Sequence, residues 1–155
     1  TAHGRRLLQQ RWTDHEFGVM RRLHHAGVRV PYPVAFAEDL FDMEYIGDLD
    51  GAAPQLYAAR LGPDQLATAF DQVVDGLAAI PRAGWAHGDL SAYNLLWWQD
   101  EVWFIDFPQA VDIAANPQGL SYLPRDVVNV CRWFTQKGHE VDGEELFADM
   151  LAHAL

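Results

Sequence analysis

One cysteine and one lysine stand among the 155 residues, and each scarcity excludes something. Cys131 can close no disulfide within the chain, which agrees with a reducing, cytoplasmic setting. It lies at helical spacing with Val127, Val128, Val130 and Phe134, so it reads as a small buried apolar residue rather than a nucleophile. Positive charge is scarce too. Eleven basic residues against 22 acidic ones give a formal net charge of −11, which argues against a general nucleic-acid footprint. The one basic cluster, from Arg5 to Arg29, reads as a solvated helix face. No apolar run approaches the ~18 residues of a membrane span. The N-terminus carries no basic-then-apolar leader. The seven histidines show neither HExxH nor Cys/His ligand spacing, which argues against a transition-metal site.

What is present suffices for a core, since 50% of the residues are apolar, and the length fits one domain or a domain with part of another. Residues 5 to 26 form an expected helix with Leu7, Leu8, Trp12, Phe17, Met20 and Leu23 as its apolar stripe and Gly27 as its cap. Two prolines keep Val28 to Pro33 extended. Short strands follow near Val34–Ala37 and Leu40–Glu44, and a turn-rich stretch from Gly47 to Pro54 marks a boundary between two lobes. Pro63 opens a helix over about 64 to 82, with Leu66, Phe70, Val73, Val74 and Leu77 among its apolar positions. After Asp106 an irregular segment containing Pro108 and Pro117 runs to about Gly119. Helices from about Pro124 to Lys137, closed by Gly138, and from Gly143 onward, capped by Asp142, complete the pattern.

Chemistry concentrates between residues 87 and 107. His87-Gly88-Asp89 is followed by Asn94 five residues after the aspartate, and Ile105-Asp106-Phe107 places Asp106 twelve residues after Asn94. Phosphoryl transfer from a nucleotide needs a carboxylate to orient or deprotonate the acceptor, and two oxygen ligands to hold Mg²⁺ on the phosphates. Asp89, Asn94 and Asp106 are such a set, in the order D-x-x-x-x-N then D-F of protein-kinase-like folds. Leu95 to Trp98 and Val102 to Ile105 are aromatic and β-branched runs around Gln99-Asp100-Glu101, which predicts a hairpin. Its two ends would lie side by side, bringing Asn94 and Asp106 to one ion. Mg²⁺ takes one or two carboxylates with phosphate oxygens and water, which suits that pair.

Trp85 to Leu96, with its D-L-S-x-Y-N form, and Ile105-Asp106-Phe107-Pro108-Gln109-Ala110-Val111 resemble the RIO family of atypical serine/threonine protein kinases. Glu16 to Pro33 resembles the family's helix C and its exit, Phe41 to Gly47 its hinge, and Arg125-Asp126 with Asn129 and Phe134 the helix after the metal-binding loop. The resemblance covers most of the chain in order. It implies an α+β, protein-kinase-like fold: a partial N-terminal lobe over 1–47 (helix C, two strands and the hinge) and a mostly helical catalytic lobe with its hairpin over 48–155.

The resemblance also implies roles. Asp89 would be the catalytic carboxylate, and Asn94 and Asp106 the metal ligands, with Asp106 accepting phosphate itself in an ATPase mode. Met43 would be the gatekeeper behind the adenine, the Glu44 carbonyl and Ile46 amide would bond its edge, and Leu96 and Ile105 would lie beneath it. Glu16 would be the helix C glutamate, while His87 and Asp126 would be structural or regulatory, Asp126 as a buried carboxylate holding the catalytic loop. The cofactors implied are ATP and Mg²⁺, with Mn²⁺ as a substitute; the implied partners are ATP and a protein substrate, and by family analogy a ribosome-related one.

The chain departs from the family pattern in lacking a glycine-rich loop and strand lysine before Glu16; Lys137 lies far downstream. A fragment explains this more simply than a degenerate kinase. The segment alone is then expected to bind ATP poorly, with Glu16 as an unpaired surface carboxylate. Only about a dozen residues separate Asp106 from the next helix and no A-P-E follows, so peptide docking through an activation loop is not expected. Two rival readings are a small-molecule phosphotransferase of the aminoglycoside or choline kinase type and a pseudokinase scaffold. Ser91-Ala92-Tyr93 and Phe107-Pro108-Gln109 favour the RIO pattern over the first.

Overall fold

In the computed structural model, which describes residues 2–37, 40–116 and 118–154, four helices surround small antiparallel sheets among the described residues.

 Side chains are described for residues 12–35, 40–116 and 118–152. The first helix, α1 (Ala2–His25), is longer than the expected 5 to 26, and the side chains of Leu7 and Leu8 fall outside the described residues. Val19, Met20 and Leu23 form its buried face, whereas Trp12 is 65% exposed. The helix outruns the surface it packs on: Phe17 meets Phe41 edge-to-face, and Trp12 lies more than a turn earlier. At the other end Gly27 has φ +81, the left-handed turn that only glycine adopts without strain. The Gly27 and Val28 amides donate to the carbonyls of His24 and Leu23, so orphan helix carbonyls are satisfied in a Schellman motif.

Strands β1 (Pro33–Ala37) and β2 (Leu40–Met43) pair antiparallel, with an irregularity between Pro33 and Ala35. The turn-rich stretch after them holds a two-residue pair, β3 (Gly47–Asp48) with β4 (Gly51–Ala52), which is too short to leave a period in the sequence. Helix α2 (Pro63–Arg82) starts at the expected proline, whose missing N–H costs nothing in a first turn. Leu66, Ala69, Val73, Leu77 and Ile80 are buried along it, and Phe70 and Val74 are half-buried. Gly76 lets the Phe104 ring lie directly on the helix backbone; a methyl group there would overlap that ring.

The hairpin of β6 (Leu95–Trp98) and β7 (Glu101–Phe104) turns on two residues, not three. Gln99 and Asp100 both have positive φ, 52° and 59°, as a type I′ turn requires, and Glu101 pairs with Trp98. Leu95, Trp97, Val102 and Phe104 alternate into the core, each fully buried side chain of this size contributing about 1.5–3 kcal/mol. The segment expected to be irregular contains β8 (Val111–Asp112), paired with β5 (Trp85–Ala86), and a 3₁₀ turn at Gly119–Ser121; Pro117 lies outside the described residues.

Helix α3 (Tyr122–Gln136) begins before Pro124, which sits in the first turn where its absent N–H is tolerated. Gly138, at φ +96, closes α3 with the same Schellman pattern. Asp142 caps α4 (Gly143–Ala154), its Oδ1 accepting the Glu144 and Glu145 amides at 2.8 and 3.1 Å. Cys131 is buried, and burial pushes its thiol up to about 11. Among the described residues, no helix is long and apolar enough to cross a membrane.

Candidate active site

The end of the hairpin builds the centre of the site. One rung past Leu95 and Phe104, the Ile105 amide donates to the Asn94 carbonyl at 2.9 Å, so the pairing continues to the two residues of interest. Asp106 then takes a left-handed conformation, φ +68, which ends the extended run; aspartate tolerates this better than bulkier residues. Its carboxylate meets the neighbouring chain: Asn94 Nδ2 donates to Asp106 Oδ2 at 3.1 Å. The Ser91 hydroxyl donates to Asn94 Oδ1 at 2.8 Å, which orients the amide with its nitrogen toward the carboxylate.

Asp89 belongs to a loop held from below. The buried Asp126 carboxylate of α3 accepts the Gly88 amide at 2.9 Å and the Leu90 amide at 3.0 Å, one bond on either side of Asp89. Gly88 has φ +86, and a Cβ on it would come within 2.5 Å of the Gln109 carbonyl oxygen. Leu90 is fully buried and Asp89 exposed, so the loop is anchored by its neighbours and presents the carboxylate outward. His87 is 2% exposed and packs on Phe107 with ring centroids 4.6 Å apart. Its Nε2 lies 3.1 Å from the Ile105 carbonyl, which can only accept, so Nε2 carries the proton. Nδ1 has no hydrogen-bond partner among the described residues. Burial pushes the imidazole pKa down, against the Ile105 bond and the charges of Asp126, Asp106 and Asp89.

Glu16 corrects one expectation. It is not an unpaired surface carboxylate: Glu16 Oε1 accepts the Phe107 amide at 3.0 Å. Burial raises its pKa; the Phe107 bond lowers it, and the nearby Asp106 charge raises it again. The preceding residue adds a second tie, His15 Nε2 donating to the Ala110 carbonyl at 2.8 Å. Helix α1 therefore grips the segment that follows Asp106 at two points, through the His15 and Glu16 side chains, each bonded to a backbone group of that segment.

The five residues expected to line a nucleotide differ in exposure. Met43 is 49% exposed and Glu44 is exposed, with the Glu44 amide donating to the Tyr32 carbonyl and its side chain accepting the Tyr32 amide at 3.0 Å. Ile46 is buried, its carbonyl accepting from Ala53. Leu96 and Ile105 are half-buried at the hairpin. One neighbour of the site left no signal in the sequence: Tyr57 stacks on Tyr93, beside Asn94, with centroids 4.1 Å apart and an interplanar angle of 22°. A hydrogen bond with Tyr57 raises the pKa of Tyr93.

Among the described residues no group of three or more His, Cys, Asp and Glu side chains could hold a metal ion. Asn94 and Asp106 form a different donor set. Both present hard oxygens, Asn94 Oδ1 keeps a second lone pair beyond the Ser91 bond, and two protein oxygens suit an ion that completes its shell with phosphate and water. The residues present fit Mg²⁺ brought by a nucleotide.

The model of the RIO domain matches residues 1–146. The chain belongs to the RIO family. It is 36% identical over 146 residues to the RIO-type serine/threonine-protein kinase Rio1 of Haloferax volcanii, covering 94% of this chain and 49% of that protein. It is 36% identical over 135 residues to the RIO-type serine/threonine-protein kinase Rio1 of Thermoplasma acidophilum, covering 87% of this chain and 69% of the relative. Thus the chain spans about half the length of the first of these relatives. Among solved structures it resembles the Rio2 kinase of Chaetomium thermophilum, in an ADP/Mg²⁺-phosphoaspartate complex, with a TM-score of 0.74 over 88% of this chain and 42% of that one, at 24% identity. A second structure of that kinase gives a TM-score of 0.75. The RIO chain therefore has the α+β, protein-kinase-like fold.

Proposed function

We propose that this RIO domain carries the catalytic part of an ATP- and Mg²⁺-dependent phosphotransferase acting on serine or threonine, on water, or on both. The observation that carries the reading is the pairing of Asn94 with Asp106 at 3.1 Å beside the loop that presents Asp89. Asn94 and Asp106 would hold the ion, which when bound neutralises charge on the phosphates. Asp89, exposed at the loop crest, orients the acceptor hydroxyl and takes its proton as the bond to phosphorus forms. Asp126 and Gly88 keep that carboxylate in place, and Glu16 keeps the chain after Asp106 in place. Their work is positioning, which is most of what phosphoryl transfer asks of a protein.

In this reading residues 1–47 are a partial N-terminal lobe and 48–155 the catalytic lobe, with the nucleotide lying along Met43, Glu44 and Ile46 and over Leu96 and Ile105. The relative's phosphoaspartate supports a second fate for the phosphoryl group, transfer to Asp106 followed by hydrolysis. A protein substrate, a ribosome-related partner and a cytoplasmic setting belong to the same proposal. The test is Mg²⁺-dependent release of ADP from ATP, with labelled phosphate followed onto serine and threonine of a generic acceptor protein. Turnover that Asp89→Asn and Asp106→Asn abolish supports the reading; turnover untouched by both substitutions overturns it.

A further inference from the structure

A cleft of about 470 Å³ lies between α2, α3 and α4, bordered by His87 and Leu90 of the catalytic loop. Leu77, Val127, Phe147 and Met150 supply much of its wall, and His87 and Asp126 line it as well. The volume falls within the roughly 300–1,000 Å³ of small-molecule sites, which combine an apolar wall with a few polar groups. Here the polar group is unusual. His87 is 2% exposed, its Nε2–H is committed to the Ile105 carbonyl, and its Nδ1 has no partner among the described residues. A buried imidazole in an apolar wall stays neutral, so Nδ1 is a lone-pair acceptor awaiting a donor. Buried acceptors are seldom left unpaired, and each that is costs stability.

We propose that this cleft binds a small amphipathic molecule: an apolar body bearing one uncharged O–H or N–H donor, which hydrogen-bonds His87 Nδ1. The wall chemistry selects the head group. Asp126 is buried, with both oxygens already accepting from Gly88 and Leu90, and it repels an anionic head. The exposed Arg82 and Asp149, which also border the cleft, carry opposite charges and leave that preference in place. A fatty acid is therefore a poor match, and a phenol or alcohol a good one. Because His87 and Asp126 both hold the loop around Asp89, an occupant would stiffen that loop from behind.

The experiment titrates the chain with 4-propylphenol, propylbenzene and 4-propylbenzoate, following amide chemical shifts and hydrogen exchange. The expected result is saturable binding of the phenol with shifts at Leu77, Val127 and Met150, at least about fivefold weaker binding of propylbenzene, which lacks the donor, and weaker still of the carboxylate. Exchange of the Gly88 and Leu90 amides should slow when the phenol is bound. Ala78→Phe and, independently, Met150→Trp should each fill the cleft and reduce phenol binding at least tenfold; circular dichroism identifies which variants fold, and a folded one suffices. Equal binding of all three compounds, binding of none, or phenol binding unchanged in a folded cleft-filling variant overturns the proposal, as does a structure at saturating phenol with only water on His87 Nδ1.

Discussion

Glu16 Oε1 accepts the Phe107 amide at 3.0 Å, joining the first helix to the residue after Asp106 across 91 positions of sequence. The bond fixes the chain just past Asp106, yet it places a carboxylate where burial and the Asp106 charge disfavour ionisation. A folded pKa above the unfolded one means stability that is full below the unfolded pKa and is lost as pH rises through the folded pKa. Ionised Glu16 therefore costs stability at neutral pH. Glu16→Gln, whose amide oxygen can still accept from Phe107, should raise Tm at pH 7 by roughly 1–3 °C and leave it unchanged near pH 3.5. Thermal melts at the two pH values check this; an equal shift at both would remove the electrostatic cause.

Asp126 is the costlier residue to lose. Asp126→Ala leaves the Gly88 and Leu90 amides, both inside the fold, without acceptors, and should destabilise by roughly 2–4 kcal/mol. Asp126→Asn retains one acceptor oxygen and should recover part of the loss. Urea unfolding of the three proteins gives the ordering directly.

Gly88→Ala acts on the same loop by steric means. The substitution demands φ +86 of an alanine and sets its Cβ against the Gln109 carbonyl. A loss of about 1–3 kcal/mol is expected, with Asp89 displaced. Urea unfolding measures the first effect, and phosphotransfer turnover falling further than the folded fraction measures the second.

Cys131 should be inert while the chain is folded. Its thiol is buried on α3 and pushed up to about 11, which alone lowers the thiolate fraction near pH 8 by roughly a hundredfold. Iodoacetamide should label it at least that much more slowly in buffer than in denaturing urea. Comparable rates would mean that α3 opens readily.

Much of the site could be read from the residues in order. The alternation of Leu95 to Trp98 against Val102 to Phe104 announces a hairpin, and a hairpin's ends must meet, which brings Asn94 to Asp106. The two-residue turn was harder, because Gln99 and Asp100 are not the Asn-Gly pair that usually marks positive φ. Pairings such as Trp85 with Asp112 have no period at two residues apiece, and neither does the stack of Tyr57 on Tyr93. Asp126 beneath the catalytic loop came through family resemblance, since nothing local to α3 says that an aspartate there turns inward. The Glu16 bond to Phe107 follows only from three-dimensional placement, because its acceptor and donor are far apart in the chain.

The metal pair is the centre of the functional reading, and Mn²⁺ as a paramagnetic substitute for Mg²⁺ tests it most directly. Free Mn²⁺ is followed by electron paramagnetic resonance as the chain is added with millimolar ADP. The expected result is nucleotide-dependent Mn²⁺ retention that Asn94→Ala and Asp106→Ala each weaken by about tenfold or more, while Asp42→Ala, an exposed strand residue, leaves it intact. Retention unchanged in both site variants, or none in the parent chain, would contradict the assignment.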